Sequence, residues 1–115
     1  MQSIEQLQRA ICHTYAVPYA PMDMQLKLGI SRNFLAGHIP LNGLRHPMHQ
    51  DTSGWYLWAG ETLSDAPDFF QPMHIAHLAI SCPRVVGYLV LPPGWRFLLT
   101  DTTVDVWYDA ALLHI

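Results

Sequence analysis

The sequence has few charged residues, and acidic side chains outnumber basic ones. Its 115 residues include six Lys and Arg against nine Asp and Glu, for a formal net charge of -3. DNA and RNA are held mainly by a dense positive surface, which this composition does not supply. We therefore expect no nucleic-acid partner.

Cysteines are also scarce, and long apolar runs are missing. Cys12 and Cys82 are far apart in sequence and belong to no CxxC or spaced zinc pattern. This is typical of thiols in a reducing compartment, although the sequence alone leaves one disulfide open. The first residues lack the basic and apolar regions of a secretory signal, and no stretch reaches the roughly 20 apolar residues of a membrane helix. These absences predict a cytoplasmic protein without a membrane span.

Apolar residues are plentiful, at 50% of the chain. A chain of this length and composition can bury a core as one domain without disulfides or a structural metal. We predict a single compact α+β domain over residues 1–115, with a mostly antiparallel sheet, an N-terminal helix and one or two helices in the second half. Within it, residues 1–23 form the N-terminal helix and its connector, and residues 24–115 form the core.

Local patterns predict where these elements lie. Ser3 followed by Gln6 resembles a capping box and predicts a helix over about residues 4–16. Proline at the first turn predicts helices that begin near Pro72 and Pro83. Composition and alternation predict strands at 24–28, 34–39, 55–59, 95–99 and 104–108. Turns or loops are expected at 40–43, 44–52, 61–67, 91–94 and 101–103.

The tryptophans point to a defined core or a prepared interface, because a buried indole needs a partner for its N–H group. Trp55 and Trp58 lie three residues apart in the predicted strand 55–59. Side chains alternate along a strand, so these two should lie on opposite faces of the sheet. Both faces of this strand carry apolar side chains, which predicts a central position.

Two histidine pairs could serve as metal ligands. His46 and His49 flank a proline in a predicted loop, His74 and His77 lie in the second half, and Asp51 could add an oxygen ligand. Neither pair carries the glutamate of an HExxH site. A small metal-dependent hydrolase is therefore an alternative interpretation, whereas we expect no metal, no other cofactor and no catalytic residues.

The acidic loop after the predicted strand 55–59 has two interpretations. Glu61, Asp65 and Asp68 could pair for general acid and base chemistry, but the same residues favour helix capping and solvated turns. No GxSxG, GxGxxG or P-loop pattern is present. The sequence therefore favours a protein that binds over one that catalyses.

An ordered set of motifs resembles a known family. The set comprises Asn42–Pro47, Ser53–Glu61, Pro67–Phe70, His74–Leu78, Cys82–Pro83, Tyr88–Leu89 and Leu91–Leu98. Together these segments are similar to the immunity-protein-33-like domains of bacterial polymorphic toxin systems, over about residues 24–115. Most of the specificity comes from the Gly-Trp followed by Gly-Glu and from the later Pro-Pro-Gly-Trp-Arg-Phe.

The resemblance implies a small cytoplasmic immunity protein that binds and neutralises a cognate antibacterial toxin, a secreted effector encoded beside it. It transfers no catalytic residues. Tight binding needs buried aromatic and Arg anchors and complementary charge, so we predict a contact surface that includes an exposed Trp58. The predicted toxin-binding residues are Arg45, His46, Asp51, Trp58, Glu61, Asp65 and Asp68. An adaptor domain with an apolar pocket remains an alternative, and exposed aromatic residues could equally serve homodimerisation.

Overall fold

The computed structural model describes residues 3–64 and 66–114, and a six-stranded sheet runs through this part of the chain. The strands are β1 (Lys27–Ser31), β2 (Leu41–Arg45), β3 (Thr52–Ala59), β4 (Phe70–His74), β5 (Trp95–Leu99) and β6 (Val104–Tyr108). Their spatial order is β4-β1-β3-β2-β5-β6. The β1–β3 pair is parallel, and the other neighbouring pairs are antiparallel. The predicted α+β class with a mostly antiparallel sheet is confirmed.

The predicted N-terminal helix and the predicted helices of the second half are present, and a short helix in the first half was not predicted. The helices are α1 (Ile4–Thr14), α2 (Arg32–Leu35), α3 (Ile75–Ser81) and α4 (Pro83–Tyr88), followed by a 3-10 helix at Ala110–Leu113. Of the helices in the described residues, none is both long enough and apolar enough to cross a bilayer.

Helix α1 begins at the predicted capping box. The Ser3 hydroxyl accepts a hydrogen bond from the Gln6 N–H at 3.1 Å, and the Gln6 side chain accepts one from the Ser3 N–H at 2.8 Å. The helix ends two residues before the predicted limit, since Ala16 adopts a φ of 56°. Its inner side packs on α4 near Gly87, where an added Cβ would lie 3.1 Å from Ile11 Cδ1.

The main core lies between one face of the sheet and helices α1, α3 and α4. Its fully buried centre includes Trp55, whose Nε1 donates to the Leu89 carbonyl at 2.8 Å and whose ring lies 5.5 Å from that of Phe97. Trp58 belongs to a smaller cluster with Leu44 and Leu112 on the other face. The predicted opposition of the two tryptophans and the central position of β3 are both confirmed.

The predicted turn at residues 40–43 is wrong, because Asn42 and Gly43 lie inside strand β2. An added Cβ at Gly43 would overlap the ring of Phe97 and lie 3.0 Å from Leu57 Cδ2, so the glycine is needed for close packing. Asn42 Nδ2 donates to the Trp58 carbonyl at 3.3 Å and to the Gly60 carbonyl at 2.8 Å. Tertiary contacts therefore override the local turn preference of this dipeptide.

Three further elements differ from their predictions. Residues 34–39 do not form a strand; Ser31 caps the short helix α2, its hydroxyl accepting a hydrogen bond from the Phe34 N–H at 3.4 Å. Pro72 does not begin a helix. It lies in β4, at the edge of the sheet, where a missing N–H can be tolerated on the unpaired side. The first strand also lies later than predicted, at Lys27–Ser31, with an irregular register between Lys27 and Gly29.

Other local predictions are confirmed. Pro83 opens α4, and the Leu91–Gly94 turn precedes β5, with Gly94 at a φ of 95°. Strands β5 and β6 form the expected hairpin. At its tip the Thr100 hydroxyl accepts a hydrogen bond from the Thr103 N–H at 2.9 Å.

Both cysteines are free thiols, but their surroundings differ. Cys12 is buried, and burial raises the pKa of its thiol, whereas Cys82 is partly exposed. Because the thiolate is the reactive form, iodoacetamide should alkylate Cys12 at least about tenfold more slowly than Cys82 in the native protein. Peptide mass spectrometry over a time course measures both rates in one sample. Equal rates in native buffer would contradict the packing of α1 on the core.

Candidate functional site

The helices leave one face of the sheet largely without a second layer. Strand alternation directs Tyr56 of β3 to this side, and the register places it beside Gly29 of β1 and Leu44 of β2. We define the open sheet face by the side chains and backbone that line its clefts. Seven of these lining residues define it here, namely Lys27, Gly29, Leu44, His46, Tyr56, Phe70 and Pro72.

Tyr56 lies at the centre of the open sheet face. Three adjoining clefts of about 230, 440 and 370 Å³ all have Tyr56 in their lining. Its ring centroid lies 5.6 Å from that of His46 and 5.1 Å from that of Phe70, both in edge-to-face contact. An added Cβ at Gly29 would approach Tyr56 Cδ1 to 2.8 Å, so the ring packs directly on the β1 backbone. Tyr56 is therefore a partly exposed aromatic group held in a fixed position.

The floor of this face is apolar and well packed. Trp58, Leu44 and Leu112 form its buried cluster, and the rings of Phe69 and Phe70 contact each other with centroids 4.9 Å apart. The side chain of Trp58 is only 5% exposed, so the expectation of an exposed Trp58 is wrong. The C-terminal 3-10 helix places Leu112 against it, a contact that no local pattern predicts.

His46 is fixed at the edge of the same face. Its Nδ1 lies 3.0 Å from the carbonyl oxygen of Leu112. A carbonyl can only accept, so this nitrogen carries the proton and donates. The contact orients the imidazole ring beside Tyr56 and joins the loop after β2 to the C-terminal segment.

Acidic side chains lie around this region. Asp51 pairs with Lys27 at 3.1 Å, and this partner lowers the pKa of the Asp51 carboxyl. The carboxylate of Asp51 therefore stays charged to a lower pH than that of an unpaired aspartate. Glu61 and Asp68 are exposed, and Asp68 lines a cleft of about 340 Å³ together with Phe69. Asp65, the remaining carboxylate of the predicted set, lies outside the described residues.

Arg45 is not part of the open sheet face. It ends strand β2, points to the helix-covered side and is only 5% exposed. Its Nε donates to the Ser53 carbonyl at 2.9 Å, and its Nη1 donates to the Leu91 carbonyl at 2.7 Å. Burial lowers the pKa of its guanidinium to about 10, so the group remains a cation near neutral pH. The assumption that Arg45 lies in an exposed loop is wrong.

The two histidine pairs stay separate as possible ligand sets. The rings of His74 and His77 lie 5.8 Å apart between centroids, and His46 contacts Tyr56 instead of a second ligand. Across residues 3–64 and 66–114, no three His, Cys, Asp or Glu side chains are grouped as a metal site would require. The alternative of a metal-dependent hydrolase has no support in this geometry.

The sequence interpretation missed the central residues of this face, Tyr56 and Phe70. Tyr56 lies between Trp55 and Leu57 on β3, so its side chain points to the opposite face of the sheet from theirs. This alternation was the only feature of the sequence that could have indicated its position. The alternation separates the two faces without saying which one the helices cover. Phe70 had no such signal, because it begins an unpredicted strand.

The fold and this face define a small α+β domain with helices on one side of a mixed sheet and a preformed aromatic surface on the other. The chain belongs to the Imm33-like domain family, whose model matches residues 7–109. The match includes most of α1, which the resemblance over residues 24–115 does not cover. Comparisons with curated proteins and with solved structures gave no match.

Proposed function

We propose that this protein is an immunity protein that binds a cognate toxin in the cytoplasm and neutralises it without catalysis. Binding would cover the active site of the toxin or hold the toxin in an inactive shape. The observation that carries the proposal is membership of the Imm33-like domain family over residues 7–109. The open sheet face supplies a surface on which such binding can occur.

The composition of the open sheet face suits a tight protein interface. Energetically important interface residues are commonly aromatic, central and surrounded by polar groups that exclude water. Tyr56 has this central position, and Phe70 and His46 hold its ring. A side chain already fixed before binding loses little conformational entropy when the partner arrives.

Acidic side chains around the open sheet face also suit a protein interface. Asp51, Glu61 and Asp68 are exposed, and Asp65 belongs to the same acidic segment of the sequence. Such a rim would steer a partner with a basic surface toward the aromatic centre and disfavour acidic partners. We therefore include Asp51, Glu61, Asp65, Asp68 and His46 in the proposed contact surface. Arg45 and Trp58 would act from beneath it by supporting β2 and β3.

The proposal is tested with the toxin catalytic domain encoded next to the gene of this protein. Titration calorimetry should give nanomolar affinity, which corresponds to about -12 kcal/mol. Co-expression of the two proteins should restore the growth that the toxin alone abolishes. A catalytically inactive toxin that still binds serves as the control for calorimetry.

Each readout can contradict the proposal. If the adjacent toxin neither binds nor loses its toxicity on co-expression, the protein is not its immunity protein. Rescue of growth without measurable binding would instead point to chemical inactivation of the toxin or its target. Product analysis of the recovered toxin by intact mass would detect a covalent change.

A further inference from the structure

A further cavity lies on the side of the sheet to which Arg45 points, and it borders the clefts around Tyr56 at Met48. Its volume is about 320 Å³, and Arg45 is part of its wall. Much of the remaining wall is proline and apolar side chains, among them Pro18, Pro21, Met22, Val90, Pro92 and Pro93. Proline fixes the backbone dihedral φ, so these walls are largely shaped before any ligand enters.

The charge of Arg45 has no acidic partner in the described part of the chain. The ion pairs found there are Arg9 with Glu5, Lys27 with Asp51 and Arg96 with Asp109.

The two hydrogen bonds of Arg45 go to neutral backbone carbonyls, from Nε and Nη1. Its Nη2 makes no hydrogen bond within residues 3–64 and 66–114. A buried cation is costly unless an anion or further acceptors compensate it. Arg45 Nη2 is not among the fully enclosed, unpartnered side-chain atoms of the described residues, so it reaches accessible space and can donate to a ligand in the cavity that Arg45 lines.

The residues that line the cavity and its volume indicate which ligand would fit. The single Nε–H of Arg45 is already donated to Ser53, so the oxygens of a carboxylate would accept hydrogen bonds from the remaining N–H groups of the guanidinium. The volume is at the lower end of small-molecule sites, which fall roughly between 300 and 1,000 Å³, so it admits a short group. Asp23 also lines the cavity and would repel a multiply charged anion such as phosphate more strongly than a single carboxylate.

We infer that this cavity binds a single carboxylate on a short apolar stem, with Arg45 as its cationic partner. The stem packs against the proline and methionine walls, and the carboxylate accepts hydrogen bonds from the guanidinium. The same chemistry is present in a free short-chain acid and in an acidic side chain of a partner protein. Of the residues lining this cavity, Met48 also lines a cleft beside Tyr56, but Arg45 lines none of those clefts, and the inference does not depend on the immunity proposal.

The test is a titration of the ¹⁵N-labelled full chain followed by NMR. Butyrate should shift the Arg45 Nε–H signal and saturate it. Butyramide, which has the same shape without the charge, and methylphosphonate, which can carry two charges, should each bind at least about tenfold more weakly. Butyramide binding as tightly as butyrate, or the absence of a saturable shift with butyrate, would overturn the inference.

Two tryptophan substitutions test whether butyrate binds in this cavity. Ala20 is exposed and lines the cavity, so Ala20→Trp should obstruct it and remove butyrate binding. Ala10 is exposed on α1, and Ala10→Trp adds the same side chain elsewhere and should leave binding intact. Arg45 is unchanged in both variants, so its structural hydrogen bonds are preserved. Equal butyrate affinity in both variants would show that the carboxylate binds elsewhere and overturn the assignment.

A capped Ala-Glu-Ala peptide distinguishes the two sources of the carboxylate. Binding of butyrate alone would assign the cavity to free short-chain acids. Binding of both ligands, with both lost in Ala20→Trp, would assign it to an acidic side chain presented by another protein. Neither result depends on whether the adjacent toxin binds, so failure here and failure of the immunity proposal are separable.

Discussion

Replacing Tyr56 with alanine is expected to weaken toxin binding by about 30-fold, which corresponds to about 2 kcal/mol. The ring is the centre of the open sheet face and borders three clefts, so its removal would leave the middle of the proposed interface without its main apolar contact. Packing on Gly29 and edge contacts with His46 and Phe70 mean that the wild-type ring is already ordered. The loss should therefore appear mainly as faster dissociation.

Ile80→Ala is the matched control for this substitution. Ile80 is the most exposed large apolar residue of the described chain, at 84%, and it lies on α3 of the helix-covered side. Its truncation should leave the dissociation constant unchanged within about twofold. Surface plasmon resonance gives both rate constants, and urea unfolding confirms that each variant remains folded. A larger loss for Ile80→Ala than for Tyr56→Ala would assign the interface to the helices.

Replacing Gly54 with alanine should lower the free energy of unfolding by at least about 3 kcal/mol. Gly54 lies near the start of β3 with a φ of 89°, a conformation that favours glycine. An added Cβ would also overlap the carbonyl oxygen of His46 and lie 2.9 Å from its carbonyl carbon. Backbone atoms cannot rotate away as a side chain can, so the loop that presents His46 must move.

Gly37→Ala separates the cost of the positive φ from the cost of the overlap with His46. Gly37 has a similar φ of 84°, but an added Cβ there would meet no atom within 4 Å. The backbone conformation alone should cost about 1–2 kcal/mol at either position. The difference between the two variants in urea unfolding, followed by tryptophan fluorescence, measures the overlap with His46. Equal losses of unfolding free energy in the two variants would mean that the start of β3 can shift to accommodate the new Cβ. The close approach to the His46 carbonyl would then add no cost.

The elements that could be predicted from the sequence are those determined by neighbouring residues. The capping box of Ser3 and Gln6 fixes the start of α1, and proline at the first turn fixes the start of α4. The β5–β6 hairpin has strand composition on both sides of a threonine-rich turn. Each of these signals lies within a few residues of the structure that it specifies.

The errors arose where distant residues determine the conformation. Asn42-Gly43 has the local preference of a turn, yet Phe97 from another strand requires the glycine within β2. Pro72 suits a helix start by local rules, yet pairing with β1 at the sheet edge makes it part of a strand. These outcomes depend on strand order, which a single sequence does not reveal.

The candidate site was predictable only in outline. The resemblance gave the family, and Glu61 and Asp68 after β3 are exposed, as expected of residues in a solvated loop. Which face the helices cover decides whether Trp55 or Tyr56 lies on the open side, and the C-terminal 3-10 helix then buries Trp58 on the same face as Tyr56. Burial of Arg45 depends on carbonyls of Ser53 and Leu91, which lie in different parts of the chain.

The alternation along β3 also has a practical consequence for engineering specificity. Trp55 and Leu57 hold the core, while Tyr56 between them faces the open side. A library that varies Tyr56, Phe70 and exposed Asp51 would leave every side chain of the main core untouched. Such a library could be selected against unrelated toxins on an unchanged scaffold, because the proposed recognition surface and the main core lie on opposite sides of the same strands.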